Sequence, residues 1–114
     1  RLPRAIPVKR AMGMILTARH VPAAEGYELG FVTELVAEGE AVNAAKAFAA
    51  KIEECSPVSI RTSLDVVRRG LEYADVQDAM KMSYDSVKTL WGSEDMIEGP
   101  LAFSEKRKPN WKGK

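Results

Sequence analysis

The side chains able to do chemistry are few, and they are spread thinly along the 114 residues. The single histidine, His20, stands in a basic-apolar turn with no acid spaced to orient it. A nucleophilic triad is therefore not expected, and His20 reads as a surface residue. One His and one Cys supply too few nitrogen and sulfur ligands for zinc. The lone thiol, Cys55, sits at a helix end and reads as a buried structural group. Neither the Gly-rich dinucleotide fingerprint nor the Gly-Lys-Ser/Thr phosphate loop occurs. Carboxylates are plentiful, and Glu94, Asp95 and Glu98 fall within one helical turn. The simplest use of that cluster is capping and compensation of the helix dipole.

The more suggestive pair lies near the end of the chain. Phe103 and Lys106 are spaced to share a helix face, setting a flat apolar ring beside a cation. Such a pair could stack on a purine and neutralise a phosphate. The surrounding tail, 106–114, carries five cations and no acid, while the rest of the chain is acidic on balance. A local phosphate or carboxylate partner and a merely solvated tail both fit that distribution; a broad nucleic-acid surface does not. Weak nucleic-acid binding through the tail would collapse with modest added salt.

The elements that must hold these groups read as mainly α, with one or two short strands. Pro7 suits the opening of a first helix whose apolar face is Val8, Ala11, Met12 and Ile15. Residues 17–21 then read as a turn or a short extended piece. A short helix over 23–29 ends at Gly30 as a left-handed cap. Residues Phe31 to Val36 alternate like a strand, which needs a partner for its backbone. An Ala-rich helix over 40–54 carries the stripe Val42, Ala45, Phe48, Ala49 and Ile52. Ser56 caps the next, with Pro57 at its first position and Ile60, Leu64, Val67 and Leu71 on one face. Asp75 caps a third long helix with Val76, Met80, Tyr84, Val87 and Trp91 on one side. Ser93 caps the last, which Gly99-Pro100 should interrupt or kink before helix resumes weakly over 101–107. The five methionines read as core or interface filler.

No apolar run approaches the roughly 20 residues of a membrane span, and no leader peptide is recognisable. A charged fraction of 29% beside 46% hydrophobic residues is that of one globular domain. The chain opens on Arg1, so it is expected to start inside a longer one.

The ending carries a resemblance. Ser93-Glu94-Asp95-Met96-Ile97-Glu98-Gly99-Pro100-Leu101-Ala102-Phe103-Ser104-Glu105-Lys106-Arg107-Lys108-Pro109, then Trp111-Lys112-Gly113, resembles the C-terminal signature of the enoyl-CoA hydratase/isomerase (crotonase) family. Arg1-Leu2-Pro3-Arg4, Met14-Ile15-Leu16-Thr17, Ala24-Glu25-Gly26 through Leu29-Gly30-Phe31-Val32, and the Ala-rich helix leading into Cys55-Ser56-Pro57 resemble earlier landmarks in the same order. The Glu-Gly-Pro-Leu-Ala-Phe form and the Trp-Lys-Gly tail look most like the carnitinyl-CoA dehydratase-type branch. Two positions depart from the pattern. Ala18 replaces the Gly commonly found after Leu-Thr, and Leu64 stands where many relatives carry Lys.

The resemblance implies the helical C-terminal part of a crotonase-like α/β fold. Residues 1–36 would end the spiral region, and residues 37–114 would form a helical part for oligomerisation and CoA contact. Family members are much longer, and their N-terminal ββα spiral supplies the two oxyanion-hole amides and the catalytic glutamates. Hence no catalytic residue and no metal ligand is assigned here, and this chain alone is not expected to be an active lyase. The CoA-contacting residues implied are Phe103, toward the adenine, and Lys106, toward the 3′-phosphate. No cofactor is implied beyond the coenzyme A of the thioester substrate. The implied partners are the chain's own N-terminal half or a companion carrying it, an acyl-CoA, and further copies in a trimer or hexamer. Neither nucleic acid nor membrane is implied. The implied setting is the cytoplasm, or the mitochondrial matrix in a eukaryote. A non-enzymatic helical interaction module is the competing reading.

Overall fold

The computed structural model describes all 114 residues. Eight helices follow one another: α1 Leu2–Ala5, α2 Val8–Thr17, α3 Ala23–Glu28, α4 Ala41–Glu53, α5 Pro57–Gly70, α6 Val76–Lys81, α7 Asp85–Trp91 and α8 Glu94–Ser104. They fall into two compact units, Arg1–Ala45 and Lys46–Lys114, whose boundary lies within α4.

In the first unit Ile6, Ala11 and Met14 form a small core, with Leu2, Val21 and Leu29 packed against it. This corrects the expected face of α2. Val8, Met12 and Ile15 lie open to solvent, because the chain before and after α2 returns to its Ala11/Met14 side. Pro7 precedes the helix as N-cap instead of occupying its first position. Helix α2 ends on Ala18, whose φ of 50° and ψ of 27° are left-handed. The turn that Gly would make easily is therefore kept with Ala, at a cost of about 1–2 kcal/mol.

The expected strand over residues 31–36 does not form, and no strand occurs anywhere in the chain. No second extended segment lies alongside to accept its hydrogen bonds, and an unpaired strand has no ladder to hold it. Only its first residues are tied down. The Phe31 and Val32 amides both donate to the Gly26 carbonyl at 3.1 Å. That tight return needs a glycine, since a Cβ on Gly26 would lie 2.7 Å from Val32 Cγ2.

In the second unit α5 packs on α7. Thr62 Oγ1 donates to the Ser86 carbonyl (3.0 Å), Ser86 Oγ donates to Asp65 (2.6 Å), and the Arg69 guanidinium lies 5.6 Å from the Tyr84 ring centre. The buried face of α5 is thus Val58 and Thr62. The predicted stripe faces away: Leu64 is 49% exposed, Val67 60% and Leu71 82%. The stripe of α4 is likewise open at Val42, Phe48 and Ile52. Burial requires a facing element, and within this unit α7 takes the other side of α5.

The long third helix also divides. Met82, with ψ of 141°, and Tyr84, with ψ of 122°, are extended, so α6 and α7 are separate. The break buries the Tyr84 ring and lets its hydroxyl donate to the Ala79 carbonyl at 3.0 Å. Of the five methionines only Met14 is buried; Met12, Met80 and Met82 are exposed.

Candidate functional site

The basic ending is a bound strap rather than a solvated tail, and α8 is what binds it. Ser93 starts the helix as its sequence predicts, its Oγ accepting from the Met96 amide at 3.2 Å. The exposed first amides of a helix seek acceptors. Here the Glu94 amide donates to the Lys114 carbonyl at 2.8 Å.

Asp95, only 3% exposed, is the centre of the attachment. Its oxygens accept from Ser56 Oγ (2.7 Å), the Lys112 amide (2.7 Å) and the Gly113 amide (3.2 and 3.3 Å). Burial pushes this carboxyl up. The Ser56 hydroxyl and the two tail amides outweigh burial, and the group ends below the ordinary carboxylate range. One turn on, Glu98 takes both terminal nitrogens of Arg107 (2.6 and 3.0 Å) and the Asn110 amide (2.6 Å). The Arg107 guanidinium, then the Asn110 amide, hold the Glu98 carboxyl at about 2. These carboxylates therefore do more than compensate a dipole: they are the sockets of the strap.

Trp111 completes the attachment. Its ring lies over Gly99, where an added Cβ would come 3.3 Å from Cη2, and its Nε1 donates to the Glu54 carbonyl at 2.8 Å. Of the two expected effects of Gly99-Pro100, an interruption or a kink, the interruption does not occur; α8 runs through both residues and ends at Ser104. Pro100 withholds one hydrogen bond, but the strap packed along α8 supports the helix against that loss. Beside Trp111 opens a cleft of about 370 Å³ lined by Cys55, Ser59, Leu90, Met96 and Pro100 among others. Cys55 is exposed, correcting its expected burial, because it falls in the α4–α5 turn with its Sγ 3.8 Å from the Lys51 carbonyl.

The predicted pair sits where α8 ends, but not as two residues on one helix face. Phe103 belongs to α8 and is 87% exposed. Lys106 lies beyond the helix with a φ of 54°. Its amide donates to the Phe103 carbonyl at 3.2 Å, and the Arg107 amide donates to the Ala102 carbonyl at 3.1 Å. These two bonds make a Schellman ending with lysine where glycine is usual. The Lys106 ammonium enters no ion pair, whereas Arg107 is held by Glu98 and Glu105. An exposed aromatic residue and an unpaired lysine three residues on thus share an anchored turn, residue types that suit a flat ring bearing a phosphate.

Elsewhere the candidate groups do not converge. His20 is exposed. No three His, Cys, Asp or Glu side chains come together as a metal site would require. No helix is long and apolar enough to cross a membrane. Leu64, at the departure from the family pattern, lines an apolar groove of about 430 Å³ with Phe48, Ile52 and Ile60.

Comparison with known proteins agrees with this architecture. The family model for enoyl-CoA hydratase/isomerase matches residues 1–114. A carnitinyl-CoA dehydratase of Escherichia coli is 33% identical, over 100% of this chain and 45% of its own length. The enoyl-CoA hydratase EchA19 of Mycobacterium tuberculosis is 34% identical, over 100% of this chain and 42% of its own. Among solved structures, enoyl-CoA hydratase EchA1 of Mycobacterium marinum superposes with a TM-score of 0.92 at 31% identity, covering 100% of this chain and 45% of that one. The chain thus spans under half the length of the relatives it matches. With its full length matched in sequence and its helices matched in space, this chain belongs to the enoyl-CoA hydratase/isomerase family.

Proposed function

We propose that this chain is the C-terminal, helical portion of an acyl-CoA-handling protein, and that it contributes the coenzyme A end of the site. The parent reaction is hydration, dehydration or isomerisation of an acyl-CoA thioester. Phe103 stacks on the adenine and Lys106 meets the 3′-phosphate. The thioester chemistry, two amide donors for the enolate oxygen and a glutamate pair for proton transfer, belongs to a complementary N-terminal segment. The observation that carries this reading is an exposed Phe103 and an unpaired Lys106, joined by a backbone hydrogen bond at the anchored end of α8. The absence of any strand also favours the helical part of the family fold over its spiral part. Cytoplasm or mitochondrial matrix is the corresponding setting, and a trimer or hexamer the corresponding assembly.

Reconstitution tests the proposal. The chain is mixed with a separately folded N-terminal segment of a family hydratase, and hydration of crotonyl-CoA is followed. Activity should appear only in the mixture. A folded pair that associates yet stays inactive, or turnover by the chain alone, overturns it. One observation favours a helical interaction module instead: the open apolar stripes of α4 and α5. That reading expects association with no response to CoA.

A further inference from the structure

We infer that the Glu98–Arg107–Glu105 ion cluster is a positioning device for Lys106, fixing the left-handed turn that aims its ammonium at an anionic group. The inference rests on the coenzyme A reading above and assigns roles to residues that do not themselves touch the ligand.

Lys106 occupies a conformation that favours glycine, with a φ of 54°. A non-glycine residue persists in that conformation only where its surroundings hold it there. The next residue locks the turn. Arg107 Nε donates to Glu105 (2.6 Å), and both terminal nitrogens donate to Glu98 (2.6 and 3.0 Å). One of those terminal nitrogens also reaches the Lys108 carbonyl at 3.2 Å. Four of the five guanidinium N–H donors are thus committed within the chain. Glu98 also takes the Asn110 amide at 2.6 Å, so the backbone is pinned on both sides of Lys108. Two consequences follow. A fixed backbone lowers the ordering cost when the ammonium engages an anion. Arg107 also neutralises two carboxylates that would otherwise repel a phosphate approaching Lys106.

The test is calorimetric titration of the full chain with CoA and with 3′-dephospho-CoA, read as the ratio of the two affinities. A variant that merely loosens the fold weakens both ligands together. A variant that misplaces the ammonium weakens CoA alone. The unmodified chain should favour CoA about tenfold, the scale of one charge-assisted contact. Lys106→Ala should bring the ratio to about one. Lys106→Gly should do the same while raising the melting temperature. Arg107→Gln and Arg107→Lys should each cut the ratio at least about threefold, because the lysine keeps charge but not the fork. If Arg107→Gln does not fold, Glu105→Gln, which removes one exposed partner, decides by a roughly twofold fall. A ratio of one in the unmodified chain, no binding of either ligand, or a ratio unmoved by Lys106→Ala defeats the coenzyme A reading itself. A ratio erased by Lys106→Ala but untouched by the Arg107 and Glu105 variants leaves that reading standing and overturns the positioning role.

Discussion

Removing the Asp95 carboxylate should release the strap and cost more stability than any other single surface-to-core contact in the second unit. Its oxygens take the buried Ser56 hydroxyl and the amides of Lys112 and Gly113. A hydrogen bond to a charged acceptor contributes about 1.5–3 kcal/mol. The two tail amides lie nearer water, which recovers part of their loss. One full contact at Ser56 plus partial ones at the amides gives about 3 kcal/mol for Asp95→Ala. In a chain of this size that lowers the melting temperature by roughly 10 °C. Asp95→Asn keeps shape and one acceptor oxygen and should lose about half as much. Urea unfolding at pH 7, followed by circular dichroism, measures both. Because the folded-state carboxyl lies below its unfolded value, its contribution is fully present above the unfolded pKa of about 3.9. That contribution disappears as pH falls through the lower, folded value. Wild type and Asp95→Asn should therefore converge in acid. An Asp95→Ala variant within about 0.5 kcal/mol of wild type at pH 7 refutes the strap-anchor assignment.

Other perturbations probe other parts of the chain. Gly26→Ala places a methyl 2.7 Å from Val32 Cγ2. It should destabilise the first unit by about 1–3 kcal/mol, measured as a loss of amide-exchange protection around Ile6 and Met14. Ala18→Gly relieves the left-handed backbone at φ 50° and should stabilise by about 1 kcal/mol in thermal unfolding. Glu98 titrates at about 2 in the folded chain, so its hold on Arg107 and Asn110 is complete above roughly pH 4.5 and is lost toward pH 2. Trp111 emission in a Trp91→Phe background should shift to the red over that interval, and Glu98→Gln should show the shifted emission at neutral pH.

Much of the local structure was legible because local rules dictate it. Ser56, Asp75 and Ser93 cap their helices as their side-chain oxygens require, each accepting from an amide two or three residues on. Gly30, with φ of +86°, turns the chain after α3 as expected. The long apolar stripes were also legible as stripes. Their orientation was not, since Leu64, Val67 and Leu71 are open while the weaker Val58/Thr62 side of α5 is covered. Periodicity finds a hydrophobic face, but only a neighbouring element decides which face is buried.

The candidate site divides the same way. Phe103 and Lys106 stood out by residue type, yet a common helix face was the wrong geometry. The αL residue at Lys106 carries no glycine or asparagine to announce it. The sockets at Asp95 and Glu98 were hidden because helix-dipole compensation accounts for acids in a first turn without any tertiary partner. Their partners lie 9 to 39 residues away in the chain, beyond the reach of any short pattern.

Sequence alone determined the family and the capped helix starts at Ser56, Asp75 and Ser93. These are written in short-range spacing and in motif. Tertiary structure alone decided that the basic ending is a strap, that the strand finds no ladder, and that Lys106 stands free while Arg107 is consumed. Each of those depends on which groups meet across the fold, where a buried charge must find its donors and a backbone its partners.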